Sequence, residues 1–284
     1  MDAVALALVS AALFGAMPVA VRFAFHQPLP VATGTLLMQI ATAGVLAAAA
    51  VAQGGTTTEG IAPFALAGLV APGLSQLLIT LGIREAGSSR ASVAFGTAPL
   101  FAVLLAVVVF DEQPGAGVLV GACLIVAGGL ALAAERDRPA HVRRIGIVYA
   151  LVGAALFASR DNLVRHLSLD TDVPSMTAGL VTLLTAVAAT AAFVALRRDA
   201  VRCPPAVALR WLFPGVLVGV SYVALFEAFY RGTVSVVAPI VGTESLWGVA
   251  FSALLLHRTE RVGARLVAGA ALVVAGGVLI ALAR

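Results

Sequence analysis

Along the whole chain, long apolar runs alternate with short polar connections. The runs cover 3–21, 31–51, 63–83, 91–110, 115–134, 145–165, 174–196, 211–230, 234–256 and 263–283. Each approaches the roughly 20 residues that a helix needs to cross a bilayer core. The pattern predicts an all-α integral membrane protein of ten transmembrane helices. The first run follows Asp2 rather than a basic stretch and resembles a run inside the chain, so it reads as a retained helix and not as a cleaved signal. The longest polar connection, ERDRPAHVRR at 135–144, separates the fifth run from the sixth and predicts two halves, 1–140 and 141–284.

The halves are copies of one another. FDEQPGAGVLVGACLIVAGG, Phe110 to Gly129, realigns on RTERVGARLVAGAALVVAGG, Arg258 to Gly277. Glu112 matches Glu260, Gly121 matches Gly269 and Gly129 matches Gly277, each pair 148 residues apart (260−112, 269−121, 277−129). LVSAALFGAMPVAVR, Leu8 to Arg22, likewise realigns on LVGAALFASRDNLVR, Leu151 to Arg165, at an offset of 143 (151−8). An odd number of crossings per copy places the second copy upside down relative to the first. The expected architecture is therefore two inverted five-helix repeats, the arrangement through which many secondary transporters alternate access.

Composition supports membrane embedding. With 61% hydrophobic and 11% charged residues and a mean hydropathy of +1.05, the chain has too little polar surface to coat a soluble globule. Its net charge of +4 comes from arginines scattered singly and in pairs, which reads as loop charge and gives no sign of a nucleic-acid partner. Cys123 and Cys203 form no disulfide framework and have no metal spacing. No metal site, cofactor motif or P-loop is present, so any coupling comes from a gradient or from the substrate itself. Arginine in the complete absence of lysine, with abundant alanine and valine, points to a GC-rich bacterial genome and hence a bacterial plasma (inner) membrane.

Orientation follows from arginine placement. Connections after the odd-numbered runs hold Arg22, Arg84, Arg90, Arg136, Arg138, Arg143, Arg144, Arg197, Arg198, Arg202, Arg210, Arg258, Arg261 and Arg265. The opposite side holds Arg160, Arg165, Arg231 and Arg284 at most. This bias of 14 to 4 assigns the arginine-rich side to the cytoplasm and both termini to the outside.

At the repeated segment the chain resembles the EamA-type permeases of the drug/metabolite transporter superfamily. Their helix-end pattern of a proline, a glutamate at a turn and a glycine-rich helix is matched from Pro99 through Glu112 to Gly128, and again from Trp247 through Glu260 to Gly276. Phe14 and Gly15, with Arg22 closing the run, look like that family's W-G pair and following basic residue. The likeness spans essentially the whole chain. Gln39 stands where the family often has a basic residue, Trp247 where the second proline falls, and Asp111 where a glycine precedes the glutamate. Many members keep both termini inside, against the orientation that these arginines predict. The resemblance implies a ten-helix permease for a small molecule.

The glycines at 117, 121, 128, 269 and 276 form small-residue stripes and are expected to pack helices. Ionisable residues inside the runs are costly at bilayer depth and are retained chiefly beside a cavity or a partner. Four occur, Arg160, Asp161, Glu227 and Glu244, and all lie in the second copy; Gly96 is the mate of Glu244, and Met17 and Pro18 are the mates of Arg160 and Asp161. A charge that holds a repeated fold belongs in both copies, whereas one that reads a ligand need occur only once. The substrate or proton site is accordingly expected at Glu244 first, with Glu227, Arg160 and Asp161. Helical spacing adds Trp247 beside Glu244 and Tyr230 beside Glu227, as aromatic neighbours suited to a cation. Polar stripes in the first copy contribute Gln39 and Gln76 as orienting groups. An ion pair snorkelling to an interface remains the alternative for Arg160 and Asp161, and a helix-bonded carboxyl the alternative for the glutamates. Pro18, Pro99 and Pro239 are hinge candidates, since a missing amide hydrogen weakens a helix.

The expected function is a secondary transporter, not an enzyme, moving a small polar or cationic metabolite, amino acid or drug by alternating access. Its partners are that substrate, the lipid bilayer and protons if a buried carboxyl exchanges them; the chain acts as a monomer or homodimer. A facilitative uniporter and a non-transport membrane subunit are the alternatives. An intramembrane enzyme fits least, because His26, His141, His166 and His257 all lie at run ends and form no catalytic or metal motif. The arginine bias makes a direct prediction: a reporter fused after Arg284 is active only in its extracytoplasmic form, and a cysteine placed within 135–144 resists an impermeant reagent added outside. A cytoplasmic C-terminus would reverse the orientation.

Overall fold

The computed structural model describes residues 2–54, 59–110, 114–133, 143–168, 173–199, 203–231, 237, 240–257 and 262–283. Among them regular structure is entirely helical. The helices are α1 (Ala3–Ala24), α2 (Val31–Ala52), α3 (Ala62–Gly68), a π-type stretch Leu69–Leu74, α4 (Ser75–Ala86), α5 (Ser88–Phe95), α6 (Ala98–Phe110), α7 (Ala116–Ala133), α8 (Arg144–Ser168), α9 (Ser175–Arg197), α10 (Pro205–Arg231), α11 (Glu244–Leu255) and α12 (Ala264–Ala283).

Seven helical stretches among the described residues are long and apolar enough to cross a membrane: Ala3–Ala24, Val31–Ala52, Ala62–Ala86, Ser88–Leu105, Met176–Arg197, Pro205–Leu225 and Ala264–Ala283. They fall on the first, second, third, fourth, seventh, eighth and tenth predicted runs. The fifth and ninth runs contain the shorter apolar helices Ala116–Ala131 and Glu244–Leu255. The sixth coincides with α8, which carries Arg144, Arg160, Asp161 and Arg165 along its length. Large apolar side chains such as Leu66, Leu196, Leu209 and Leu254 face outward, as lipid-facing helices require.

Local chemistry sets several boundaries. The Asp2 carboxylate accepts the Ala5 amide hydrogen at 2.7 Å and caps α1. Pro30 and Pro174 stand immediately before α2 and α9, where extended backbone is favoured. Gly87 separates α4 from α5 at φ 87°, a conformation that a side chain rarely adopts. Arg90, which the sequence places in a connection, lies instead inside α5 and is fully buried. At the same end of the bundle, Glu85 pairs with Arg84 at 2.8 Å and with Arg143 at 3.0 Å, and Arg22 donates to the Arg84 carbonyl. Three arginines from separate connections thus gather at one end, as their assignment to one side predicts.

Packing respects the repeat. α1 lies against α10 as α8 lies against α4; α1 meets α11 as α8 meets α5 and α6; α2 meets α10 as α9 meets α3 and the π-type stretch. α2 packs on its own mate α9, and α7 on its own mate α12. The α7–α12 contact shows the symmetry atom by atom. A Cβ on Gly128 would lie 2.7 Å from the Gly269 carbonyl oxygen and the Val273 side chain; one on Gly276 would meet the Gly121 carbonyl and Ile125. Adding 148 to each residue of Gly121, Ile125 and Gly128 gives Gly269, Val273 and Gly276, so one contact is the image of the other. Residue numbers rise along one helix as they fall along the other, and the mates therefore cross antiparallel.

In an apolar medium no hydrophobic force drives two such helices together, and close packing of backbone on backbone does so instead. Gly276→Ala is expected to lower the melting midpoint of detergent-purified protein, by the equivalent of about 1–3 kcal/mol for overpacking a tight contact. Gly129 lies on the same α7 and meets nothing within 4 Å. There the same substitution gains helix propensity, about 1 kcal/mol at most, and leaves the midpoint unchanged or raised.

Candidate functional site

Two helices of the bundle are interrupted within two residues of matching positions. α5 ends at Phe95 and α6 begins at Ala98; in the second copy a turn at Gly242 and Thr243 precedes α11, which begins at Glu244. Gly96 and Glu244 are repeat mates (244−96 = 148). Both breaks use the same capping chemistry: Thr97 Oγ1 donates to the Ala94 carbonyl at 2.7 Å, and Thr243 Oγ1 to the Ile240 carbonyl at 2.6 Å. A third irregularity occurs at the π-type stretch, where Ala71 has non-helical φ −146° and ψ 129° before Pro72.

The first two breaks touch. A Cβ on Gly96 would collide with Ser245 Oγ, and one on Gly248 with Ser92 Oγ. Ser88 and Ser252 hydroxyls bond at 2.8 Å further along the same antiparallel pair. α1 closes on this junction through Gly15, whose Cβ would stand 2.7 Å from the Glu244 carbonyl oxygen and 2.5 Å from Trp247 Cβ. Only small residues allow three backbones to approach this closely.

Beside the junction lies a cleft of about 350 Å³, its open mouth included. Its walls are Phe14 and Pro18 of α1, Ile79 and Ile83 of α4, Ser92 and Phe95 of α5, and Glu244 and Ser245 of α11. Three walls come from the first copy and the one carboxylate from the second. Glu244, the first-ranked candidate of the sequence, thus lines a cavity between the halves.

Arg160 stands one aromatic layer behind the cleft. Its guanidinium lies 4.4 Å from the centre of the Phe157 ring, and its Nη2 donates to the Tyr222 hydroxyl at 3.4 Å. Phe95 packs edge-on against Phe157 and Phe14 edge-on against Tyr222, with centroids 5.4 and 5.2 Å apart. The two rings that line the cleft therefore also hold the two rings that hold Arg160. At 8% exposure Arg160 is buried in the bundle.

Other candidates are placed differently. Gln39 is buried and donates to the Pro72 carbonyl at 3.1 Å, satisfying a carbonyl beside the irregular Ala71. Gln76 is buried one turn before Ile79. Trp247 stacks on Phe251 and packs against α1 instead of walling the cleft. Glu227 is not brought to the cleft: it pairs with Arg231 at 2.8 Å and accepts from Gln53 at 3.3 Å near the end of α10. Of the hinge candidates, Pro18 sits in an unbroken α1, while Pro99 is the second residue of α6, where its missing amide hydrogen costs nothing. The side chains of Asp161 and Tyr230, and Pro239, Glu112 and Glu260 altogether, lie outside the described residues.

The sequence reading did not assign Ser245, Phe95, Phe157 and Tyr222 to the site. Serines and phenylalanines in apolar runs are too common to stand out, and only Ser245, beside Glu244 and opposite Gly96, had a signal in its position.

Comparison with known proteins agrees with this architecture. A solved crystal structure of a protein aligns with a TM-score of 0.69 at 19% identity, covering 99% of this chain and 98% of that one; it is one of 16 solved chains that match. At that identity the likeness concerns the fold alone. No protein with a curated description matches by sequence. The model of the EamA-like transporter family matches twice, over residues 1–133 and 144–282, which together span nearly the whole chain as two copies. The chain is a multi-pass membrane protein that belongs to the EamA-like transporter family.

Proposed function

We propose that the chain is a secondary transporter of ten transmembrane helices in two inverted repeats, working by alternating access in a bacterial inner membrane with both termini outside. The antiparallel crossing of α7 on its mate α12 supports the inversion. The exchange of packing partners between the halves supports rocking of one half against the other.

The observation that carries the reading is the position of Glu244. It is a carboxylate on a mid-run helix start, lining a cleft whose remaining walls belong to the other repeat. Motion of the halves would open that cleft alternately to each side, so a group held at Glu244 crosses with it. Phe14 and Phe95 supply aromatic walls beside the carboxylate, suited to a small polar or cationic metabolite, amino acid or drug. Arg160 behind those rings adds an opposite charge that can orient a substrate carrying an anionic group. Exchange of a proton on Glu244 would couple transport to a gradient; facilitated diffusion uses the same site without it.

The test begins with a thermal-shift screen of purified protein for a compound that raises the melting midpoint, followed by flux of that compound into proteoliposomes. Glu244→Gln nearly preserves shape while removing the charge, and it is expected to cut flux at least about tenfold, the effect of losing some 1.4 kcal/mol of interaction. Folded yield should hold. Glu112→Gln, at a turn between runs, keeps flux close to wild type. Normal flux with Glu244→Gln would remove Glu244 from the mechanism.

A further inference from the structure

We propose that Gln39, Ser75 and Gln76 form an uncharged binding site at the Ala71–Pro72 break for one small hydroxylic group, either a water molecule or the hydroxyl of a solute. The site stands apart from Glu244, and the transporter reading does not depend on it.

Gln39 Oε1, Ser75 Oγ and Gln76 Nε2 are buried without a hydrogen-bond partner among the described residues. The three residues are only 1%, 0% and 6% exposed, so bulk solvent does not serve these atoms. One carbonyl brings them together. That of Pro72, just past the irregular Ala71, accepts from Gln39 Nε2 at 3.1 Å and from the Ser75 amide. The Gln39 amide group of α2 therefore lies beside the first turn of α4, where the Ser75 and Gln76 side chains begin. A carbonyl only accepts, so this bond fixes which end of the Gln39 amide is nitrogen and leaves its oxygen as the unpaired end.

A polar group in this state costs free energy in an apolar interior unless a ligand pairs it. Gln39 offers an acceptor, Gln76 a donor and Ser75 both. An ion finds no balancing charge among these three groups, and a ligand that only donates or only accepts leaves one of the glutamines unserved. A hydroxylic group donates to Gln39 and accepts from Gln76, while Ser75 supplies whichever role remains. It suits either orientation of the Gln76 amide, and about three partners is what a buried water commonly makes. Gln76 stands three residues before Ile79 and seven before Ile83, the two cleft residues of α4, so the site continues their helical stripe one turn beyond the cleft.

The test compares wild type, Ser75→Ala, Gln76→Leu and the double variant as full-length protein in detergent. Gln39 is left intact because its loss would also strip the Pro72 carbonyl. Melting is followed in buffer alone and with L-threonine or L-valine, near-isosteric solutes that differ by a hydroxyl. If solvent water is the occupant, each single substitution lowers the midpoint in buffer by roughly 2–4 °C. The double variant then loses less than the sum, because one bridging molecule is lost only once. If the occupant is a solute hydroxyl, midpoints in buffer hold or rise as unpaired groups are removed. L-threonine then stabilises wild type more than L-valine does, and either substitution removes the difference. Should Gln76→Leu fail to fold, Ser75→Ala decides. Midpoints that hold or rise while L-threonine and L-valine act alike on wild type would overturn the site, as would losses in buffer that simply add. Flux of Glu244→Gln tests the transporter reading separately.

Discussion

In apolar surroundings every backbone amide and carbonyl has to find a partner inside the protein, and the few places where these helices give up that partner govern the rest of the structure. Continuous helices satisfy themselves and can face lipid. Ala71–Pro72, Gly96–Thr97 and Gly242–Thr243 cannot, and each is found among polar side chains that repair the loss. Gln39 takes the Pro72 carbonyl, Thr97 the Ala94 carbonyl and Thr243 the Ile240 carbonyl. Ala71, Pro72 and Thr97 are buried and Gly96, Gly242 and Thr243 partly buried, which keeps irregular backbone from lipid that would leave it unpaired. The cleft lies at two of them because irregular backbone is tolerated only where protein or a cavity surrounds it.

Close approach is the second consequence. Three helices converge on the junction through Gly15, Gly96 and Gly248, and two more cross through Gly121, Gly128, Gly269 and Gly276. Without a hydrophobic drive between helices, the contact energy comes from many small dispersion terms that decay within a fraction of an ångström. At the junction a directional bond, between the Ser88 and Ser252 hydroxyls, adds to this backbone contact. Of the ion pairs at the bundle ends, Glu85 with Arg143 ties two helices together, whereas Glu227 with Arg231 lies within α10.

The symmetry of the fold and the asymmetry of its chemistry meet at one position. Gly96 and Glu244 are mates, and each performs the task that the other cannot. Glycine lets the opposing Ser245 and Val273 of α12 approach, while glutamate brings a carboxyl to the cleft. Had both copies carried a carboxylate, two like charges would share one junction at high cost. Had both carried glycine, the cleft would be wholly apolar except for serine hydroxyls. The repeat supplies the scaffold, and the departure from it is the carboxylate that the proposed function rests on.

By itself the sequence determined the membrane class, the positions of most helical runs and the duplication, and it singled out Glu244 as an expectation. Those follow from local quantities: run length against bilayer thickness, a fixed offset between copies, and the cost of a charge within an apolar run. Only the tertiary structure decided which charges share a site. Glu227 and Glu244 look alike in the chain, each an acid in an apolar run with an aromatic neighbour, yet the first reaches Arg231 and Gln53 near a helix end and the second lines the cleft. The burial of Arg90, the aromatic layer that links Arg160 to the cleft, and the place of Ser245 over Gly96 were equally invisible. Each depends on which helices are neighbours across the repeat boundary, and helical periodicity fixes the face of a residue without naming the helix it will meet.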